Sequence, residues 1–167
     1  MLAECAQLRH SLRPERSSTA EHRLGCYVPP GAATVSLFAA QSVAQRLSQL
    51  ASTPLFLSEY PLEYRTYPPG AHMAWHRDEQ LFQEPQVELV LTVSNSSDSV
   101  TEWQDAQGRL HSQWTEPNSL LLVRAGGAMH RVLPIKRGKR SIVKVVFTST
   151  HTRVPAYEDN LLNTYAH

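Results

Sequence analysis

Long apolar runs are missing from this sequence: no segment approaches the roughly 18 apolar residues that a membrane-crossing helix needs, so no membrane partner is expected. Cysteine is scarce. Cys5 and Cys26 are the only two, too few for a disulfide framework and without a zinc-ligand spacing, which points to a reducing compartment. The first residues, MLAECAQLRHSLRPERSS, lack the uninterrupted apolar stretch of a secretory signal. An intracellular location, cytoplasmic or nuclear, is therefore expected. Internal repeats and low-complexity tracts are absent, and no pattern fixes an oligomeric state. Acidic residues are missing locally: from Asn118 to Tyr157 there are eight Lys or Arg and no Asp or Glu, although the net charge of the chain is only +1. That third should present a positive surface or line a positive pocket suited to anions.

What is present is the profile of one globular domain: 167 residues, 41% hydrophobic and 19% charged. Residues 1–34 are rich in Arg, Ser, Pro and Gly without periodicity and read as an irregular lead-in. Residues 35–52 place Leu37, Val43, Leu47 and Leu50 at helical spacing, which predicts an amphipathic helix. Downstream the pattern changes to period two. Short strands are predicted at 63–67, 71–77, 87–95, 101–104, 109–114, 119–124, 129–133 and 140–149, with Pro, Gly, Asn, Asp and Ser between them. No second helical stretch is available for parallel crossovers. The expected fold is mainly β, an antiparallel sandwich or jelly roll with a supporting N-terminal α-helix. The domain is expected over 35–150, followed by a C-terminal tail at 151–167.

Within YPPGAHMAWHRDEQ, residues 67–80, His76 and Asp78 stand two positions apart just after a turn-forming Pro-Pro-Gly. On a regular strand His72, Ala74, His76 and Asp78 share one face, so two ligands can reach one ion. His130 lies 52 residues beyond Asp78 and begins another short apolar run. Two imidazoles and one carboxylate leave coordination positions open, the arrangement that non-haem Fe(II) oxygenases use for a chelating cosubstrate and O₂. A structural zinc site would close the sphere, usually with cysteines. A dicarboxylate cosubstrate also needs a cation at its far end. Arg140, ten residues after His130, supplies a permanently charged fork able to grip a carboxylate twice.

These residues together resemble an Fe(II)- and 2-oxoglutarate-dependent dioxygenase of the prolyl 4-hydroxylase-like branch, over roughly Glu63 to Ser149. Tyr67, Gly70, His76 and Asp78 match the family's tyrosine, glycine and H-x-D spacing. Asn95 with Asp98 to Trp103 resembles a degraded form of its asparagine and glycine-rich segment, and Pro117 to Val123 its proline-led strand. His130, Pro134, Gly138 and Arg140 match the distal histidine and the basic cosubstrate residue. The resemblance implies a double-stranded β-helix, Fe(II) held by His76, Asp78 and His130, and 2-oxoglutarate held by Arg140 and Tyr67. It implies O₂ as the oxidant, ascorbate as an accessory reductant, and succinate and carbon dioxide as coproducts. Ser99 and Val100 replace two glycines of the pattern, Val93 replaces an aromatic residue, and Lys144 stands where the family has a small one.

His72 would touch substrate or pack in the core. The resemblance places the hairpin carrying Glu102 and Trp103 beside the substrate cleft, the alternative being a plain solvent-exposed hairpin. The expected substrate is a protein or peptide side chain, proline first. An oxidative demethylase of nucleic acid is favoured by the basic third, but no second arginine follows Arg140 on its strand and no aromatic-basic ladder is present to stack bases. A small-molecule hydroxylase and a non-catalytic cupin-like metal-binding module complete the alternatives. Specificity is expected to reside in the loops near 79–86 and 96–112.

Overall fold

The computed structural model describes residues 2–83 and 85–165; residue 84 of the first specificity loop and the outermost residues of the lead-in and tail lie outside the described residues. In chain order the elements are α1 (Leu2–Leu8), a 3-10 turn (Arg9–Ser11), β1 (Arg13–Pro14), β2 (Ala20–Glu21), β3 (Leu24–Tyr27), α2 (Ala33–Ala39) and α3 (Gln41–Ala51). The strands β4 (Phe56–Leu57), β5 (Glu63–Tyr67), β6 (His72–His76), β7 (Gln86–Asn95) and β8 (Thr101–Gln104) follow. They continue through β9 (Leu110–Gln113), β10 (Leu120–Arg124), β11 (His130–Val132) and β12 (Arg140–Thr148) to α4 (Ala156–Asn163). No helix among the described residues is long and apolar enough to cross a membrane.

Two antiparallel sheets form the jelly roll that the sequence pattern predicts. The larger runs β1-β3-β5-β12-β7-β10, with β4 also on β12, and the smaller runs β2-β6-β11-β8-β9. β12 is the spine, because it pairs with β5 on one side and β7 on the other. Its sequence RSIVKVVFT suits that position: β-branched residues fit a pleated surface buried on both faces. Val143, Val145 and Phe147 face outward onto Phe38 and Leu47 of the helical layer, together with Leu55, Leu89 and Leu91. Those three side chains are fully buried, and each contributes about 1.5–3 kcal/mol of apolar transfer free energy. Ile142, one register step away, faces between the sheets with Tyr67, Met73, Val132 and Ile135.

Two expectations are corrected. The helix expected over 35–52 is interrupted at Ala40, whose backbone is extended, giving α2 and α3. The break resets the helical phase, so Phe38 and Leu47 are buried while Leu37 and Leu50 are half exposed. The described part of the lead-in expected over 1–34 is not irregular: β1 and β3 extend the larger sheet and β2 extends the smaller one. Strands of two to four residues are too short for alternation to register in sequence, and their order comes from the sheets they join.

Candidate metal centre and its cleft

The turn Pro68-Pro69-Gly70 reverses the chain between β5 and β6; Gly70 has φ +88°, and its N–H donates to the Ile135 carbonyl at 2.8 Å. β6 then pairs antiparallel with β11, and His130 lies directly opposite His76. Three residues of β6 span the interval that two of β11 occupy, since Met73 lies opposite Val132, so β6 carries a bulge. The bulge breaks strict alternation: Met73 and His76 both face the internal cavity.

The two imidazoles stand with ring centroids 4.2 Å apart. His76 Nδ1 lies 2.8 Å from the Ala74 carbonyl oxygen, and His130 Nδ1 lies 3.1 Å from that of Ala128. A carbonyl can only accept, so in the neutral ring each Nδ1 carries the proton and each Nε2 presents a free lone pair. Those nitrogens flank Asp78 at 3.6 Å (His76 to Oδ1) and 3.7 Å (His130 to Oδ2). One ligand atom from each of the three residues lies within 4.8 Å of the others. His76 Nε2 is buried and has no hydrogen-bond partner among the described residues. An orphaned lone pair beside a carboxylate and a second imidazole is a donor set that a divalent metal ion satisfies. Burial opposes the charge on Asp78, yet the adjoining His76 imidazole and the charges of Lys144 and His130 outweigh it and hold the carboxyl below its ordinary range. Burial lowers the pKa of His130, with Asp78 opposing, and the neutral ring is the form that ligates.

Arg140, at the start of β12, lies opposite Tyr67 and lines the same internal cavity as the triad. It is 3% exposed, and burial pulls its guanidinium below the ordinary range. One nitrogen donates to Thr101 Oγ1 at 2.9 Å, while Nε is buried without a partner. No carboxylate pairs with it among the described residues. A buried guanidinium with an unused donor is expensive unless an anion joins it. Gly138 enables this placement. It has φ +74°, and a Cβ there would stand 2.0 Å from the Ser96 carbonyl oxygen, so only glycine lets the 133–139 turn lie against the loop after β7.

Lys144, four residues along β12 from Arg140, also enters the cavity. Its ammonium lies 2.9 Å from Glu88 and 3.5 Å from Glu63. Arg65 pairs with Glu63 at 2.8 Å and with Glu15 at 3.5 Å, and Glu15 pairs in turn with Arg23. Burial opposes the charge of Lys144, but Glu88 and Glu63 prevail and raise its pKa. Burial, reinforced by the Asp78 charge, pushes the Glu88 carboxyl up. This ionic layer forms the floor of an open cleft of about 760 Å³ that also reaches His76 and Asp78. Ser17, Ser18 and Thr19 edge the cleft on one side, and Asp159, Asn160 and Asn163 of the α4 segment on the other.

The remaining expected residues lie elsewhere. The bulge removes His72 from the His76 face, and it sits 3.9 Å from Glu21 on the neighbouring strand. Glu102 is paired with Arg131 at 2.6 Å, and Trp103 stacks on His111. None of the three lines the cavity or the cleft. Thr101, Glu88 and Arg23, absent from the sequence-based set, do line them. Thr101 and Glu88 left a signal, as polar residues on strands facing the site. Arg23 left none, because it stands just before β3, a strand of only four residues.

No family model and no curated protein matches the chain. Solved structures do. A prolyl-4-hydroxylase from Pseudomonas putida is similar with TM-score 0.68 and 24% identity, over 89% of this chain and 84% of that one. An oxidoreductase of the 2OG-Fe(II) oxygenase family from Burkholderia pseudomallei has TM-score 0.73 and 11% identity, over 90% and 80%. A prolyl hydroxylase from Trichoplax adhaerens, in complex with a hypoxia inducible factor oxygen degradation domain peptide, has TM-score 0.65 and 11% identity, over 88% and 76%. At these identities the shared property is the fold, and the chain has the jelly roll of those proteins.

Proposed function

We propose that this chain is an Fe(II)- and 2-oxoglutarate-dependent oxygenase that hydroxylates a C–H bond, with a protein or peptide side chain as substrate. The observation that carries the reading is the convergence of His76, Asp78 and His130, with His76 Nε2 buried and unpartnered, in one cavity with an arginine that lacks a counter-ion among the described residues. His76, Asp78 and His130 would hold the metal, and Arg140 with Thr101 and Tyr67 would hold the far carboxylate of the cosubstrate. When bound, Fe(II), 2-oxoglutarate and O₂ supply the oxidising power, and the cosubstrate leaves as succinate and carbon dioxide. The chain's own part is to orient and to exclude water. Met73, Val132 and Ile142 wall the cavity with apolar surface, and the Ala74 and Ala128 carbonyls fix the imidazole tautomers.

A peptide substrate is supported by the open cleft over the triad and by the peptide held in the Trichoplax adhaerens neighbour. The lining of the cleft favours a second reading, a polar small molecule: among the described residues Met73 and Leu81 are the only apolar side chains that line it, with no Phe, Tyr or Trp. The same lack of aromatic surface disfavours nucleic acid, since an extruded base needs a face to stack on.

The test is anaerobic addition of Fe(II) and 2-oxoglutarate, which should produce a visible metal-to-ligand charge-transfer band. His76→Ala and Asp78→Ala should abolish it, and both variants binding metal and cosubstrate normally would sink the assignment. Succinate release with peptides and with polar metabolites then separates the two substrate readings. A binding module without turnover releases none with either.

A further inference from the structure

The N-terminal segment sends one side chain into the cavity that the proposed reaction does not yet use. Arg23 is 4% exposed and lines the cavity together with Tyr67 and Arg140. Its Nε donates to Glu15 Oε2 at 2.5 Å and its Nη2 to Glu15 Oε1, a two-pronged pairing that fixes the guanidinium plane and cancels its charge. Its remaining nitrogen, Nη1, donates to the Tyr67 hydroxyl at 2.8 Å. The Tyr67 ring thus neighbours two guanidinium groups, with Arg23 at 5.4 Å and Arg140 at 5.7 Å from its centroid.

A phenol carries one hydrogen and accepts through its oxygen, whereas a guanidinium only donates. With Arg23 occupying the acceptor side, Tyr67 has no choice but to donate. The acceptor nearest its hydrogen is the Met73 thioether at 3.3 Å, a weak one. A carboxylate placed against Arg140 would be far stronger. Because Glu15 neutralises Arg23, Arg140 remains the cavity's uncompensated arginine, and an anion is drawn to it and not to Arg23.

We infer that Arg23, held by Glu15, is a positioning residue for cosubstrate binding: it commits the Tyr67 hydroxyl to donate into the cavity, toward the carboxylate that Arg140 holds. This rests on the cosubstrate reading above, and it assigns the first part of the chain a role in the site.

The test is the affinity of the Fe(II)-loaded 167-residue chain for 2-oxoglutarate, measured by anaerobic calorimetry without any turnover. Tyr67→Phe should weaken binding about tenfold, the size of one charge-assisted hydrogen bond. Arg23→Met should cost a similar factor. In the Tyr67→Phe background the same Arg23→Met change should cost less than about twofold, because the group it acts through is gone. Iron affinity should be unchanged in all three. Arg23→Lys, which keeps a donor and a charge for Glu15, provides a gentler probe where the methionine variant does not fold. Any loss it causes must likewise vanish with Tyr67→Phe. Losses that add in full, with either variant, overturn the role of Arg23 while leaving the cosubstrate reading intact. Absence of 2-oxoglutarate binding in the unmodified protein overturns the cosubstrate reading itself.

Discussion

Among single residues, Arg140 has the sharpest consequence, because its burial, its unused Nε and its lack of a carboxylate partner among the described residues all concern an anion and not the metal. Arg140→Ala is expected to weaken 2-oxoglutarate binding by at least about 30-fold, roughly 2 kcal/mol, as for loss of a buried charged donor. Fe(II) affinity should change by less than about threefold. Parallel titrations of metal and cosubstrate check this, and equal losses of both would place Arg140 in the scaffold. The convergence of Arg140 and the triad on one cavity was legible in the sequence, because the side chains suited to ligate a metal and grip a carboxylate stand at spacings that hairpins and strands can bridge. The opposite holds for Glu102, Trp103 and His72. Strand parity or a degraded motif suggested them, and neither consideration sees an ion pair with Arg131, a stack on His111 or a bulge in β6.

At the scale of elements, the strands were well read and the joints between them were not. β5 and β8 fall on the expected residues, since alternation over a half-buried ladder is a local property. The bulge in β6 and the break at Ala40 are tertiary choices. One brings Met73 and His76 to the same cavity, and the other turns Phe38 inward in place of Leu37. The joint before β12 has the most direct link to function. There the Lys136 and Arg137 N–H groups both donate to Asp98 Oδ1, and Gly138 closes against Ser96. Gly138→Ala adds a left-handed backbone penalty of about 1–2 kcal/mol to a clash with a carbonyl oxygen. It should lower Tm by roughly 5 °C and weaken 2-oxoglutarate binding through displacement of Arg140. Thermal melts with and without cosubstrate test both halves. A variant with unchanged Tm would mean the turn has room that the geometry denies.

Over the whole molecule, the site is closed by segments that belong to neither central strand pair. Glu15 and Arg23 come from the first part of the chain, and Tyr165, just beyond α4, donates to Glu63 at 3.0 Å and accepts from Arg65 at 3.1 Å. Sequence reading left both ends unstructured, because charged residues near a terminus look solvated until the fold buries them. The ionic layer these segments complete has a testable pH signature. Lys144 is the cation shared by Glu63 and Glu88 across the floor of the cleft. Lys144→Met leaves two buried carboxylates without it, a loss of about 3 kcal/mol at neutral pH. The folded-state pKa of Glu88, already raised by burial and by Asp78, should then rise further. A carboxyl with a raised folded pKa binds more protons folded than unfolded, so it costs stability above its unfolded value, and that cost is relieved as pH falls through the folded pKa. The variant should therefore lie far below the parent protein in Tm at neutral pH and recover much of the difference at mildly acidic pH. Melts of both proteins across that range decide the matter. A gap independent of pH would show that Lys144 stabilises the floor by packing its stem and not by its charge.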